Sequence, residues 1–441
     1  MNNLQVGYGR VNITPNYPVA IAGSAANKVS QGYLDPIYIT CLAFRYGEET
    51  RMVATMDLVG AYAEYAAPAR TAISQATGLP EDRVILNATH THSSVGARNI
   101  DGVGIARYRE EFYAWVVEAA KTALADLTPA EVWYGSTQTQ GMVWVRHYKM
   151  ADGTFAGANY GSFKKSTIVG HASEAFGEVQ LVKFARAAAN KKDILMMNYP
   201  AHATMQKELY ISADFPGPAR EYIEENTGVL VAYFIAAAGD QVPTSRIPEE
   251  QFSADYKVYG QEVGRIVVTC MESLTKLDQT QLRFAKHTFT GKSNKAELDR
   301  LDQALAVRAI WEQVGGRGTP EGKAAAKEHG FSSVYQVTAI LNRMNFPDER
   351  SMELKTMAIG NVGFVLAPYE MFGASSAQIK KASPYDMTFI ISCSQNHDGY
   401  LPSKFGWSLG CYESQITRFA PGTAEQLADT YVSLLKQMKE N

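Results

Sequence analysis

The stretch Val84-Ile85-Leu86-Asn87-Ala88-Thr89-His90-Thr91-His92-Ser93 joins an apolar run to two histidines that are one residue apart. A short apolar run of this kind is typical of a buried β-strand. On an extended segment, residues i and i+2 point to the same side, so both imidazoles would project together from the end of the strand. Imidazole is the commonest protein metal ligand. The pair therefore indicates a metal site at a strand end, with two exposed histidines in a turn as the alternative.

A third histidine has the same setting. The run Ile194-Leu195-Met196-Met197-Asn198-Tyr199-Pro200-Ala201-His202 is again apolar up to its end. Other strand-like runs lead to Gly239-Asp240, to Glu370 and to His397. In α/β proteins, strand ends at one edge of a sheet converge on one cleft, which is where ligands bind. Two histidines plus a carboxylate form a catalytic zinc site that keeps one position open for water.

Strand-like and helix-like segments alternate along much of the chain, which predicts an α/β fold in which a mixed β-sheet is layered with α-helices. We expect the active site at the strand ends. The region from about 295 to 345 is helical and more polar, and we interpret it as a helical insertion that covers the site or forms a subunit contact. Strands are predicted near 5–13, 38–46, 51–58, 84–89, 130–137, 178–184, 193–199, 229–237, 353–367 and 387–393, and helices near 63–77, 106–127, 217–226, 256–275 and 423–439.

Composition excludes several classes of protein. The 441 residues are 46% hydrophobic and 20% charged, as in ordinary globular proteins. A net charge of -3 gives no electrostatic basis for a nucleic-acid partner. The longest apolar run, about Val229 to Ala238, is too short for an integral membrane segment.

No signal peptide is visible, which predicts a cytoplasmic location. The cysteines form neither a zinc knuckle nor a disulfide framework: Cys41, Cys270, Cys393 and Cys411.

The order of the motifs resembles the catalytic domain of the neutral/alkaline, non-lysosomal ceramidases, and within that family it is most similar to ceramidase-like bacterial proteins. The resemblance runs from Val6-Gly7-Tyr8-Gly9-Arg10 to about Glu413. It implies a single catalytic domain over residues 1–441, with no immunoglobulin-like domain at the C-terminus. The matching pieces are Asn87-Ala88-Thr89-His90-Thr91-His92-Ser93, Asn198-Tyr199-Pro200-Ala201-His202, Gly239-Asp240, Pro368-Tyr369-Glu370, Gly399-Tyr400 and, twelve residues on, Tyr412-Glu413.

The resemblance also implies roles for individual residues. His92 would lie beside the metal and handle protons. Arg146 looks like the substrate-binding arginine of the family, although a surface ion pair is the alternative. Tyr412 would hydrogen-bond the reacting carbonyl. The residues that would hold one zinc ion are His90, His202, Glu370 and Tyr400.

Four further polar residues near these motifs are candidates for orienting the ligands or for contacting the substrate: Asp57, Asp214, Asp240 and His397. Asp57 and Asp214 equally suit turn or cap positions. Together with His92, Asp57 could support a second metal ion. His397 shares with His92 the alternative role of moving a proton to the leaving group.

The resemblance implies a zinc-dependent hydrolase that cleaves an amide (N-acyl) bond with metal-activated water. The chain departs from the family at Val242, where ceramidases carry the serine of Gly-Asp-Val-Ser-Pro. An ester, lactone or carbohydrate linkage is therefore the alternative bond, and a non-catalytic binding homologue is a third reading. We expect a small-molecule substrate, and a homo-oligomer is compatible with the sequence.

Overall fold

A computed structural model describes residues 3–23, 28–157 and 167–440 of the chain. Its strands are β1 (Gln5–Asn12), β2 (Tyr38–Tyr46), β3 (Glu49–Met56), β4 (Val84–Ala88), β5 (Thr128–Gln138), β6 (Trp144–Val145), β7 (His147–Met150), β8 (Phe155–Gly157), β9 (Ile168–His171), β10 (Glu178–Arg186), β11 (Ile194–Tyr199), β12 (Leu230–Ile235), β13 (Gln241–Val242), β14 (Thr275–Lys276), β15 (Leu282–Lys292), β16 (Glu349–Ile359), β17 (Val362–Leu366), β18 (Glu370–Met371), β19 (Met387–Ile391) and β20 (Tyr400–Leu401). Its helices are α1 (Ala63–Thr77), α2 (Ile105–Ala125), α3 (Pro216–Thr227), α4 (Tyr256–Met271), α5 (Leu301–Gln313), α6 (Pro320–Glu328), α7 (Val334–Arg343), α8 (Gly373–Ala382), α9 (Lys404–Ser408), α10 (Tyr412–Ile416) and α11 (Thr423–Glu440).

Two mixed sheets form the centre of the molecule. The larger has the order β12-β11-β10-β5-β1-β2-β3-β4, with β14 paired to β5, and the smaller has the order β15-β16-β17-β19. Most neighbours are antiparallel, but β3–β4, β11–β12 and β17–β19 are parallel. The predicted mixed α/β architecture is confirmed.

The two sheets pack face to face, and helices cover their outer faces. One apolar cluster contains Val6, Phe44 and Phe184 from the larger sheet together with Phe364 and Phe389 from the smaller. Helices α1 and α2 cover one half of the larger sheet, and α3 and α4 cover the other. Helix α11 covers the smaller sheet. The layers therefore follow the order helix, sheet, sheet, helix, and the apolar runs of the strands are explained by burial on both faces.

Two buried asparagines join the sheets just before the histidine motifs. Asn87 donates from Nδ2 to Ser394 Oγ at 3.3 Å, and Asn198 donates from Nδ2 to Ile390 O at 3.0 Å. A buried amide is costly unless it is hydrogen-bonded, so these contacts fix how the two sheets meet. As a result, the ends of β4, β11 and β19 converge at one place.

The insertion forms a small helical unit with its own core. Helices α5, α6 and α7 enclose an apolar cluster that includes Trp311, Phe331 and Ile340. Helix α7 is joined to α10 because Arg343 donates to the carbonyl oxygen of Gln415. The predicted helical insertion near 295–345 is thus confirmed. Nowhere in residues 3–23, 28–157 or 167–440 is there a helix of the length and apolarity needed to cross a membrane.

Some elements differ from the sequence prediction. The run near 353–367 is an antiparallel hairpin, β16 and β17, that turns at Gly360, where φ is 55°. Strand β15 was not predicted, because most of its side chains are partly or fully exposed and lack an apolar pattern. Helix α8 was also not predicted, since its sequence Gly-Ala-Ser-Ser-Ala-Gln-Ile-Lys-Lys-Ala offers little helical periodicity.

Candidate metal centre

Three imidazoles and one carboxylate meet where β4, β11 and β18 come together. His90 Nε2 lies 2.8 Å from His202 Nε2 and 3.2 Å from His92 Nε2. Glu370 Oε2 lies 3.1 Å from His90 Nε2 and 3.3 Å from His202 Nε2. His90, His202 and Glu370 are buried, and His92 is half-buried. The convergence that the strand-end motifs predicted is therefore present in the molecule.

The backbone around the two buried histidines fixes which ring nitrogen carries the proton. His90 Nδ1 lies against the carbonyl oxygen of Val59, and His202 Nδ1 lies 2.6 Å from the carbonyl oxygen of Ala238. A carbonyl oxygen only accepts hydrogen bonds, so the proton of each neutral ring is on Nδ1. Each Nε2 then presents a lone pair to the other and to the Glu370 carboxylate. Three acceptors facing one another repel unless a proton or a metal ion lies among them.

The pKa values of His202 and Glu370 keep both groups as hydrogen-bond acceptors at neutral pH. Burial, together with the charges of Arg146 and His90, lowers the pKa of His202 to about 4. Burial opposes the charge on Glu370, but its imidazole neighbours hold the pKa of that carboxyl well below its ordinary value. Neutral imidazole and ionised carboxylate are the forms that bind metals.

A single proton can pair only some of the acceptors in this cluster. Burial opposes a charge on His90, yet Cys393 and Glu370 raise the pKa of His90 well above its ordinary value. That proton can bridge one pair of acceptors, whereas Glu370 Oε2 still accepts no hydrogen bond of normal geometry from the described residues. In a tetrahedral zinc site, ligand atoms at 2.0–2.1 Å from the metal are about 3.3–3.4 Å apart. Glu370 Oε2 lies at 3.1 and 3.3 Å from the two imidazole nitrogens, close to this spacing, whereas His90 Nε2 and His202 Nε2 are nearer to each other, at 2.8 Å.

Two more candidate residues border this cluster. Tyr400 pairs with Glu370 in the parallel ladder of β18 and β20, and its hydroxyl lies 3.3 Å from His202 Nε2. His397 Nε2 lies 3.1 Å from Glu370 Oε1, and its ring stacks on Tyr62 with centroids 4.8 Å apart. His397 therefore contacts the carboxylate through the oxygen that faces away from the other histidines. Such a contact orients a ligand carboxylate.

Arg146 is buried beside the cluster, and the alternative of a surface ion pair is wrong. Its side chain is 3% exposed and lies 2.7 Å from Glu413 Oε1. The other oxygen of Glu413 lies 2.7 Å from His147 Nε2. Burial opposes the charge on Glu413, but Arg146 and His147 lower its pKa to about 2. The guanidinium carbon is 5.1 Å from the centroid of the Tyr400 ring, so a fixed positive charge borders the centre.

Tyr412 lies close to the same centre. Its ring centroid is 5.5 Å from that of Tyr400 and 5.7 Å from that of Tyr335 on α7. Burial raises the pKa of Tyr412, so its hydroxyl keeps its proton at neutral pH. A protonated phenol beside the cluster can donate a hydrogen bond to a ligand.

Asp57 and Asp214, two of the four further candidate residues, contact groups other than the imidazoles. Both oxygens of Asp57 bind the guanidinium of Arg220, at 2.8 and 2.7 Å, in a buried ion pair. Asp214 accepts backbone hydrogen bonds from Gln206 at 2.8 Å and from Phe215 at 2.6 Å. Asp214 therefore has the backbone contacts of a turn position, which the sequence left open as an alternative, whereas Asp57 belongs to a buried ion pair that the sequence did not predict.

Asp240 connects two parts of the site. Its Oδ1 accepts from the backbone N–H of Gly373 at 2.8 Å. Its backbone carbonyl accepts from the N–H of Arg146 at 3.0 Å. Asp240 therefore holds the segment that carries the arginine rather than facing the imidazoles directly.

Sequence reasoning missed several residues of the site. Glu413 was part of a matched motif, yet only the fold shows that it binds Arg146 and His147. Cys393, whose Sγ lies 3.6 Å from His90 Nδ1, carried no signal beyond its strand-end position. Tyr335 belongs to the insertion and could not be connected to the centre without the fold.

Two cavities adjoin the residues of this centre. One has a volume of about 740 Å³ and the other of about 540 Å³. Volumes of this size suit small-molecule ligands. His92, Tyr400 and Tyr412 line both cavities, and so does Tyr335 of α7. Of the two roles proposed for the insertion, covering the site is the one that the structure shows.

Comparison with known proteins identifies the fold. No protein-family model and no curated protein matches the sequence. A solved structure of a ceramidase complexed with C2 is 14% identical, with a TM-score of 0.72, and the match covers 100% of this chain and 76% of the ceramidase. The neutral ceramidase from Pseudomonas aeruginosa is 16% identical, with a TM-score of 0.72 and coverages of 100% and 75%. The chain has the fold of these ceramidases, as its motifs predicted.

Proposed function

We propose that this chain, built on the fold of the neutral ceramidases, is a zinc-dependent hydrolase that cleaves an N-acyl amide bond. The observation that carries the proposal is the set of facing acceptors His90 Nε2, His202 Nε2 and Glu370 Oε2, all within 3.3 Å of one another. Acceptors in this arrangement favour a bound metal ion, and nitrogen and oxygen ligands in a four-coordinate site suit zinc.

The ligands of the zinc ion would be His90, His202, Glu370 and Tyr400. When bound at such a site, zinc supplies an acidified water molecule and a Lewis acid for a carbonyl oxygen. His397 would act as a positioning residue, because its Nε2 contacts the second oxygen of Glu370 at 3.1 Å. We propose a single ion, since Arg220 already engages both oxygens of Asp57.

Three residues of the chain would act on the substrate. Arg146 is held by Glu413 at 2.7 Å, and its fixed charge would stabilise a developing oxyanion. Tyr412 keeps its phenolic proton and would donate a hydrogen bond to the same oxygen. Burial, together with His90 and His202, lowers the pKa of His92 well below its ordinary value. A neutral His92 beside the reacting atoms would accept the proton that the attacking water loses and pass it to the nitrogen of the leaving group.

The same groups could cleave an ester, a lactone or a carbohydrate linkage, and one observation supports keeping that second candidate. Val242, which stands where ceramidases carry serine, lines the cavity of about 540 Å³ with a side chain that cannot hydrogen-bond. Whatever the ceramidase serine contributes at that position is absent from this chain. We propose a small-molecule substrate and a cytoplasmic location, in line with the sequence.

An assay of acyl release tests the proposal. Zinc-loaded protein is incubated with a short-chain fluorescent ceramide and with small N-acyl amides and esters, with and without a chelator. We expect release that the chelator abolishes, that added zinc restores and that His90→Ala eliminates. His287→Ala, which changes an exposed histidine on β15, is the matched control and should retain full activity. Hydrolysis of esters alone would favour the second candidate. Protein that carries stoichiometric zinc and cleaves none of these bonds would refute the hydrolase.

A further inference from the structure

The ring of Tyr62 stacks on the imidazole of His397, which in turn contacts the proposed ligand Glu370. The two ring planes are 7° apart and their centroids are 4.8 Å apart. His397 Nε2 lies 3.1 Å from Glu370 Oε1. A hydrogen bond from an imidazole N–H lies in the plane of the ring, so this contact depends on how the ring is turned. A parallel aromatic neighbour fixes that plane, because rotation about the Cβ–Cγ bond would turn the edge of the imidazole into the face of the tyrosine.

Tyr62 is itself held in place by the start of helix α1. Its backbone carbonyl accepts hydrogen bonds from the N–H groups of Tyr65 at 3.2 Å and of Ala66 at 2.9 Å, which form the first turn. The ring of Tyr65, which is buried, packs edge-on against the ring of Tyr62 with centroids 6.5 Å apart. The position of the Tyr62 ring is therefore set by the helix and by a buried neighbour.

Arg98 contacts the same tyrosine ring. Its guanidinium carbon is 4.8 Å from the centroid of Tyr62, a distance at which a cation is attracted to an aromatic face. Arg98 Nε lies 2.9 Å from Oε1 of Glu64, which belongs to the first turn of α1. Arg98 follows His92 by six residues. The contact therefore connects the loop after the histidine pair to the tyrosine that packs on His397.

Gly60 makes the close approach of the two rings possible. A Cβ at this position would overlap His397 Nδ1 and would lie 3.0 Å from Tyr62 Cε2. Any larger residue at position 60 would therefore displace the imidazole. The glycine, the tyrosine and the histidine form one packed unit beside the carboxylate.

We infer that Tyr62 is a positioning residue of the metal centre, which acts through His397. The inference rests on the metal centre of the proposed function and adds a residue to it. By fixing the plane of the imidazole, Tyr62 keeps His397 Nε2 on Glu370 Oε1. The second oxygen, Oε2, then faces His90 Nε2 at 3.1 Å and His202 Nε2 at 3.3 Å, the orientation that a ligand carboxylate needs. The ring of Tyr62 carries this effect and its hydroxyl does not.

The affinity for zinc, measured without any substrate, separates this role from another. Tyr62 lines the cavity of about 740 Å³, so a direct contact with the substrate is the competing explanation. A residue that only contacts the substrate leaves the affinity for zinc unchanged, whereas a residue that orients a ligand changes it.

Competition with a chromophoric chelator measures that affinity. We expect Tyr62→Leu to bind zinc about fivefold more weakly than wild type, which corresponds to the contribution of an aromatic pair. Tyr62→Phe should bind zinc as wild type does, and a loss as large as that of Tyr62→Leu would assign the effect to the hydroxyl and overturn the inference. The matched control Tyr113→Leu removes another half-buried tyrosine, which packs against Phe112 on α2, and should leave the affinity unchanged.

A double-variant cycle tests whether Tyr62 acts through His397. His397→Ala should weaken zinc binding by about 10- to 100-fold, and Tyr62→Leu should have no further effect in that background. Equal losses from Tyr62→Leu with and without His397 would overturn the inference, and so would a zinc affinity of Tyr62→Leu equal to that of wild type. If the cycle gives the expected result but the wild-type protein cleaves none of the tested bonds, the role of Tyr62 stands and the hydrolase fails.

Discussion

The buried contact of Glu413 with Arg146 and His147 leads to a quantitative prediction for Glu413→Gln. The fall in the pKa of Glu413 from 4.5 to about 2 corresponds to about 3 kcal/mol of stabilisation at neutral pH. Removing one partner of a buried ion pair costs a similar amount, about 3–5 kcal/mol. We therefore expect urea unfolding at pH 7 to show a loss of about 3 kcal/mol, because the variant leaves the charge of Arg146 buried without its counter-ion.

The same contact predicts how the difference depends on pH. Because the pKa of Glu413 is lowered by folding, the stabilisation is complete above pH 4.5 and is lost as the pH falls toward 2. The difference in unfolding free energy between wild type and variant should be the same at pH 7 and pH 5.5 and should halve near about pH 3.3. Glu118→Gln, at an exposed position of α2, is the control and should differ from wild type at neither pH. A loss below about 1 kcal/mol at pH 7, the value typical of an exposed pair, would refute the buried ion pair.

Three further variants separate the roles of neighbouring residues. Gly60→Ala should weaken zinc binding by about 10- to 100-fold in a competition with a chromophoric chelator, because a Cβ at this position would meet His397 Nδ1. Tyr412→Phe should lower kcat/KM by about 10² to 10³ with full zinc content, and an unchanged rate would remove Tyr412 from the reaction. Asp57→Asn should destabilise the protein by about 3–5 kcal/mol through its contact with Arg220 and leave zinc affinity unchanged, whereas a loss of zinc affinity would restore Asp57 as a residue that orients the ligands.

The strands that are buried on both faces could be predicted from the sequence. Strands such as β4 and β11 are buried on both faces, so their apolar runs are long and end sharply at polar residues. The sequence predicted that the histidines at those ends converge, because ligands of α/β proteins bind where strand ends meet. The strand order could not be predicted: β11 is the second strand of the sheet and β4 the last. Where a strand is exposed, as in β15, the sequence carries no such pattern and the prediction fails.

The site could be predicted from the sequence only in part, because the contacts around the candidate ligands come from segments that are far apart in the sequence. Glu413 approaches Arg146 across 267 positions of sequence, and nothing local to either residue indicates the pairing. Asp57 has the same strand-end setting as the histidines, yet Arg220 on α3 engages both of its oxygens.

The most direct test of the account is the metal content of the purified protein, measured by elemental analysis together with X-ray absorption at the zinc edge. We predict one zinc ion per chain, with nitrogen and oxygen ligands at about 2.0–2.1 Å. We also predict that His90→Ala, His202→Ala and Glu370→Gln each remove the ion while the exposed-site control His287→Ala retains it. Wild-type protein that takes up no more zinc than His90→Ala would contradict the metal centre and the hydrolase built on it.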